Sequence, residues 1–242
     1  MFTLIQGDCT EELKKLPDNS ADAIITSPPY NMNLRIRNGK YCSRQIVKEL
    51  STKYEGYPDN LPIEEYYQLN KTVIEEGLRI SPIVFYNVQF LTGNKRAFYK
   101  LIGEFAEHLK EFIVWDKVNS QPSIGEGILN SRFEVILVFE RENAISRCFK
   151  KRNFEKGTLE NLWQIKRGNK PLKEHGAVFP EELVETIVKN FTNEGDTILD
   201  PFMGTGTTGV VALREKRNFV GIELEKKYFD FAKNRIENGA IV

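Results

Sequence analysis

The sequence is poor in cysteine, carries no net charge and has no long apolar run, and each shortage closes off a class of protein. Cys9, Cys42 and Cys148 are its only cysteines and stand far apart. They lack the paired spacing that zinc or a redox dithiol needs, so neither a metal centre nor a disulfide framework is expected. No stretch approaches the roughly eighteen apolar residues of a membrane span. The opening Met1-Phe2-Thr3-Leu4 runs into Gln6-Gly7-Asp8, where a signal peptide would continue apolar. The expectation is a cytoplasmic protein without a membrane partner. No internal repeat or low-complexity segment appears. The 34 Lys and Arg residues balance 34 Asp and Glu, which argues weakly against a nucleic-acid binder, but charge placement can override the sum.

Placement is uneven. Between Arg147 and Lys173 stand Arg147, Lys150, Lys151, Arg152, Lys156, Lys166, Arg167, Lys170 and Lys173 against only Glu155 and Glu160. Between Asn31 and Lys48 stand Arg35, Arg37, Lys40, Arg44 and Lys48 with no acidic residue. At 242 residues, 40% apolar and 28% charged, the chain suits one α/β domain with a buried core and insertions.

Phe2 to Ile5 reads as a strand, and Cys9 to Leu16 as a helix with Thr10 as its N-cap. Asp22 to Thr26 is a buried-strand run that stops at Pro28-Pro29, since neither proline can donate to a ladder. Residues 31–61 lack periodicity and read as a long, partly mobile inserted loop. Helices are expected over 63–80, 95–110, 180–190, 207–214 and 226–237, and strands over 83–87, 112–115, 133–139, 197–200 and 219–224. This alternation predicts a doubly wound, mostly parallel sheet. The polar, basic stretch 141–173 is a second insertion.

Two motifs carry chemistry. Asp200-Pro201-Phe202-Met203-Gly204-Thr205-Gly206-Thr207-Thr208-Gly209 follows a strand and opens a helix, so a ligand can approach its backbone N–H groups closely. Nineteen residues after Gly204, Glu223 ends the next strand, where a carboxylate can accept from both hydroxyls of a ribose. A nucleoside-containing cofactor is implied. The acidic lead-in of Asp200 repels a pyrophosphate and suits the ammonium of a methionine moiety. The bland alternative is a glycine turn that serves helix packing alone.

The second motif is Ser27-Pro28-Pro29-Tyr30. The lone pair of an exocyclic base amine is delocalised into the ring, so catalysis needs acceptors to hold the amine. The Ser27 hydroxyl and Pro28 carbonyl can take its two hydrogens and stabilise the charge that develops on nitrogen. The prolines fix the carbonyl's direction. Tyr30 offers a face for the base to stack on, worth about 1–3 kcal/mol. Alone, the tetrapeptide would more often be a strand-ending turn.

With both motifs in one chain, the sequence resembles the β-type amino-methyltransferases of DNA, in which the catalytic motif precedes the cofactor motif. The likeness covers nearly the whole chain: Gln6-Gly7-Asp8-Cys9, Thr26 to Tyr30, His175-Gly176-Ala177-Val178-Phe179-Pro180, Asp200 to Gly209, and Phe219 to Glu223. The family usually has proline where this chain has Gly176, which leaves His175 without an assigned role. His108 is read as a helix-surface residue. The resemblance implies the class I S-adenosylmethionine-dependent methyltransferase fold: seven strands, parallel except for one, with helices on both faces. It implies S-adenosylmethionine as cofactor and a contact set of Asp8, Cys9, Ser27, Phe179, Asp200, Phe202, Gly204, Gly206, Thr207 and Glu223. For Cys9 a buried small residue is the competing reading.

Within that family, serine at the first motif position is associated with cytosine N4, and aspartate or asparagine with adenine N6. The expectation is a cytosine-N4 methyltransferase of a restriction-modification system, with adenine N6 as the alternative. Its partner is double-stranded DNA, from which the target base must be flipped at a cost of a few kcal/mol. The second basic stretch, within 141–173, is the expected target-recognition segment; Arg35, Arg37 and Arg44 of the first stretch, and Lys151, Arg152, Lys166, Arg167 and Lys170 of the second, are the candidate DNA contacts. Phe149, Phe154 and Trp163 are interleaved with the second set, and a solvated basic surface is the alternative for both stretches. A homodimer and a companion endonuclease stay open. The rival readings are an RNA or protein-glutamine methyltransferase, a NAD-dependent oxidoreductase using the same glycine turn, and an inactive DNA-binding protein.

Overall fold

The computed structural model describes residues 1–31, 60–121, 126–127, 129–142, 146–168 and 179–239, together with the backbone of 35–37 and 40–42. In chain order the elements are β1 (Phe2–Gln6), α1 (Cys9–Lys15), β2 (Ala23–Thr26), β3 (Arg35–Arg37), β4 (Lys40–Cys42), α2 (Ile63–Ile80), β5 (Ile83–Val88), α3 (Lys95–Glu104), β6 (Leu109–Gln121), β7 (Ser131–Glu140), β8 (Leu162–Gln164), α4 (Glu181–Phe191), β9 (Thr197–Asp200), α5 (Thr207–Arg214), β10 (Asn218–Glu223) and α6 (Lys226–Gly239). Eight strands form one sheet in the order β1-β10-β9-β2-β5-β7-β6-β8, and β3 and β4 pair separately. Every pairing in the large sheet is parallel except those of β7, which runs antiparallel to both β5 and β6.

The central strands read as continuous apolar runs because both faces are covered. Alternate residues serve opposite cores. Ile24, Val84, Tyr86, Leu137 and Phe139 pack with Leu13, Ile74 and Phe98 of α1, α2 and α3. Ala23, Ile25, Phe85, Ile136 and Val138 pack with Val184, Val211 and Ile236 of α4, α5 and α6. Each of the larger apolar side chains contributes about 1.5–3 kcal/mol of burial, against about 0–1 for an exposed ion pair, so the two cores decide the fold. Among the described residues no helix is long and apolar enough to cross a membrane.

Four expectations are corrected. The sheet has eight strands, not seven, because β8 lies within the basic stretch and pairs parallel with β6, Trp163 opposite Trp115. Its local signal is small: only Trp163 is buried, between exposed Leu162 and Gln164. Helix α3 ends at Glu104 and not near residue 110, since Leu109 already pairs with Phe139. His108 therefore sits in the connecting turn, where its carbonyl accepts from the Glu140 N–H at 2.8 Å. The N-cap of α1 is Asp8, which accepts from the Thr10 N–H at 2.8 Å, and not Thr10.

Candidate active site

Strands β1, β10, β9, β2 and β5 are parallel, so Gln6, Glu223, Asp200, Thr26 and Val88 all end at one edge of the sheet. Open α/β sheets bind their ligands at that carboxyl edge. After Asp200 the chain turns through Gly204 (φ 53°) and Gly206 (φ 77°), a backbone that other residues adopt with strain. Gly206 starts α5 and also admits α6, since a Cβ there would lie 3.1 Å from Ala232 and Ile236. Packing thus explains Gly206. Gly204 is tied to the opposite acid: its N–H donates to Glu223 Oε2 at 2.8 Å.

Glu223 Oε1 accepts from the Glu225 N–H at 2.9 Å, and each carboxylate oxygen keeps a second lone pair, the arrangement a ribose diol requires. Burial raises its pKa, opposed by the two backbone N–H groups. The Gly7 N–H donates to the Glu223 carbonyl at 3.0 Å, which brings the Gln6-to-Cys9 turn alongside. Within that turn the Asp8 carboxylate is occupied in capping α1. Cys9 is buried beside Leu13 and burial pushes its thiol far up, so it is a core residue and an inert one. Phe202 packs against the first core, Phe179 against the second, and the buried Thr207 hydroxyl accepts from Arg235 at 2.9 Å.

Asp200 is 3% exposed, and burial pushes its carboxyl up to about 6. Thr26 Oγ1 and the Phe202 N–H donate to Oδ1 at 2.7 and 3.1 Å, and Thr208 Oγ1 donates to Oδ2 at 2.7 Å. The Asp200 carboxyl group fastens the residue before Ser27 to the glycine turn and α5.

In the Ser27-to-Tyr30 motif, the Pro29 carbonyl accepts from Tyr66 Oη at 2.6 Å and the Tyr30 carbonyl from Asn94 Nδ2 at 2.7 Å. Among the described residues nothing donates to the Pro28 carbonyl, the one assigned to the substrate. Ser27 Oγ lies 3.1 Å from Tyr30 Oη and 3.2 Å from the Asn87 carbonyl, either of which accepts its proton. Tyr30 is buried, and its hydroxyl donates to Glu134 Oε2 at 2.7 Å. Little of its ring faces solvent, so its main observed role is in this network. Asn87 Nδ2 reaches Glu134 at 2.6 Å and Tyr30 Oη at 3.0 Å, and Lys117 Nζ lies 2.6 Å from Glu134 Oε1. Asn87, Lys117 and Glu134 were missed from sequence. Their signal was a polar or charged residue inside an apolar strand run: Asn87 in β5, Lys117 at the end of Ile113 to Trp115 in β6, and Glu134 before Val135 to Phe139 in β7.

The candidate DNA contacts divide. Lys151 pairs with Asp22 at 3.1 Å and Asp196 at 2.5 Å, acids that precede β2 and β9 and so mark the edge opposite Ser27. Arg152 donates to the Phe149 carbonyl, while Phe149 and Phe154 pack on Phe191 at the end of α4. With Trp163 buried, the interleaved aromatics form core and not a DNA surface. Lys166 and Arg167 follow β8, which is parallel to β6, and are exposed at the carboxyl edge. Arg35 and Arg37 lie on β3, described in backbone only, and Arg44, Lys170 and His175 fall outside the described residues.

Known proteins resemble this chain in sequence and in fold. The chain is 29% identical to the Type II methyltransferase M.HinfI of Haemophilus influenzae, over 97% of the chain and 68% of that protein. It is 30% identical to the Type II methyltransferase M2.LlaDCHI of Lactococcus lactis subsp. cremoris, over 98% of the chain and 90% of that protein. Among solved structures, the fold is similar to PvuII DNA methyltransferase (cytosine-N4-specific), with a TM-score of 0.71 at 21% identity over 98% of this chain and 93% of that one. It is also similar to a putative DNA modification methylase of Thermus thermophilus complexed with S-adenosyl-L-methionine, with a TM-score of 0.64 at 24% identity over 100% and 97% of the two chains. The N6/N4 methyltransferase family model, described as DNA methylase, matches residues 21–234, and the chain belongs to that family.

Proposed function

We propose that the protein transfers a methyl group from S-adenosylmethionine to the N4 amine of a cytosine flipped out of double-stranded DNA, as the modifying half of a restriction-modification pair. The observation that carries this reading is the 2.7 Å hydrogen bond from Thr26 to Asp200, which joins the amine-holding loop to the glycine turn across neighbouring strand ends. The cofactor, when bound, supplies a methyl group on a positively charged sulfur. Gly204 and Glu223 fit its ribose: the N–H of one orients the carboxylate of the other, whose remaining lone pairs could accept from two hydroxyls.

On the amine side, Ser27 Oγ and the Pro28 carbonyl accept the two N–H bonds, which draws the nitrogen toward tetrahedral geometry and stabilises its growing charge. Ser27 is a neutral acceptor with its proton directed to Tyr30 or the Asn87 carbonyl, and this supports cytosine over adenine. The exposed Lys166 and Arg167 supply phosphate contacts on the same edge. The test is to methylate plasmid DNA with the purified protein and identify the modified nucleoside by mass spectrometry. N4-methylcytosine is expected. N6-methyladenine would keep the chemistry and change the base, and C5-methylcytosine would refute the mechanism.

A further inference from the structure

The polar groups behind Ser27 form a chain whose hydrogens run one way. Glu134 and Lys117 are 8% and 4% exposed at their side chains, and a buried carboxylate needs the counter-charge that Lys117 supplies at 2.6 Å. A carboxylate only accepts, so the Tyr30 hydroxyl donates to Glu134 at 2.7 Å. Its own proton committed, the Tyr30 oxygen accepts, from Asn87 Nδ2 at 3.0 Å and from Ser27 at 3.1 Å. The backbone of β6 is strained just beyond Lys117: Val118 has φ 65°, rare for a β-branched residue, and regular pairing with β7 stops after Asp116. Strain and a buried ion pair both cost stability, and here they lie one residue apart beside the amine-holding loop.

We propose that Glu134, backed by Lys117, is a positioning residue for methyl transfer: it fixes the direction of the Tyr30 hydrogen bond so that Ser27 turns its proton inward and presents its lone pairs to the amine. This rests on the amine-holding role proposed for Ser27. An amide at position 134 can donate to the Tyr30 oxygen, which turns the phenol proton onto Ser27 and consumes a lone pair that the substrate needs.

The experiment uses the full chain, duplex DNA and labelled S-adenosylmethionine, with kcat and the KM for DNA from initial rates and the cofactor Kd from calorimetry. Glu134→Gln is expected to lower kcat about tenfold or more, while KM and Kd stay within about twofold. Tyr30→Phe removes the group through which Glu134 acts, so adding Glu134→Gln to it should cost less than about twofold further. Equal losses in the two backgrounds, an unchanged kcat in Glu134→Gln, or a loss carried by KM or Kd would each overturn the inference.

Because Glu134→Gln leaves Lys117 without its counter-charge, Lys117→Met/Glu134→Gln is the second variant. It carries neither charge, and it should melt like the wild type yet show the same fall in kcat. Recovery of wild-type kcat there would assign the single-variant loss to an unpaired charge and overturn the proposal. A wild-type protein that labels no base amine would overturn the proposed function and this inference together, whereas a labelling enzyme indifferent to Glu134 overturns the inference alone.

Discussion

At the amino-terminal edge of the sheet, Asp22 and Asp196 close on Lys151 from neighbouring loops, and a second oxygen of Asp22 accepts from the Thr197 N–H at 2.9 Å. At the carboxyl edge the acceptors are arranged differently. Glu223 holds the Gly204 N–H and keeps lone pairs over, the Ser27 proton is directed inward, and the Pro28 carbonyl takes nothing from the described residues. Asp22 and Ser27 bracket β2, so at about 3.3 Å per residue they lie roughly 16 Å apart. The acids at the amino-terminal edge thus do structural work, whereas at the carboxyl edge Asp200 is committed to the fold and Glu223 keeps acceptors available.

The largest expected effect tests the open end. Ser27→Ala removes an acceptor and the head of the hydrogen-bond chain, and should lower methyl transfer about a hundredfold or more. Calorimetry should find cofactor affinity within about twofold of wild type. A matching loss of cofactor binding would mean that Ser27 belongs to the cofactor turn, and the division of that edge into an amine half and a cofactor half would break.

Asp200 tests the seam between those halves. Its ordinary carboxyl value of 3.8 is pushed to about 6 in the fold, chiefly by burial. Between those values the folded chain holds a proton that the unfolded chain has released, so this group's contribution to stability falls as pH rises from about 4 to about 6, then levels. A shift of that size amounts to about 3 kcal/mol. Urea unfolding of wild type and Asp200→Asn across that window should give a difference between the two proteins that changes with pH in that sense. A difference that does not vary with pH would show that the buried carboxyl is not perturbed by its place at the seam.

Much of this was legible beforehand, for physical reasons. Ala23 to Thr26 and Ile198 to Asp200 are buried on both faces and so read as apolar runs, and Pro28-Pro29 and Gly204-x-Gly206 end them with backbone chemistry that leaves little choice. Glu223 was found because its spacing from Gly204 is local to one β-turn-α-β unit. Glu134 and Lys117 were not, because their meaning lies in a partner on another strand and in Tyr30, 104 residues from Glu134. The pairing of Lys151 with Asp22 was hidden for the same reason: it spans 129 residues, and composition alone cannot report it. Strand β8 was hidden because a strand with one buried residue has no period to detect.

The two basic positions that fell on opposite edges offer the smallest and cleanest discrimination. Lys166 and Arg167 are exposed beyond β8 at the carboxyl edge, so each is free to neutralise a phosphate and release a counterion. Replacing both with alanine should weaken DNA binding about tenfold at moderate salt and reduce the slope of log K against log salt by about two. Lys151→Ala should leave affinity and slope within about twofold of wild type and lower stability by about 1 kcal/mol, since it removes the shared partner of Asp22 and Asp196 in a half-buried setting. Filter binding over a salt series, with urea unfolding of the same proteins, separates the two outcomes. If Lys151→Ala flattened the salt slope while the Lys166/Arg167 change did not, DNA would have to reach the amino-terminal edge. A base flipped toward Ser27 would then have to span the length of the strands, and the carboxyl-edge site would be untenable.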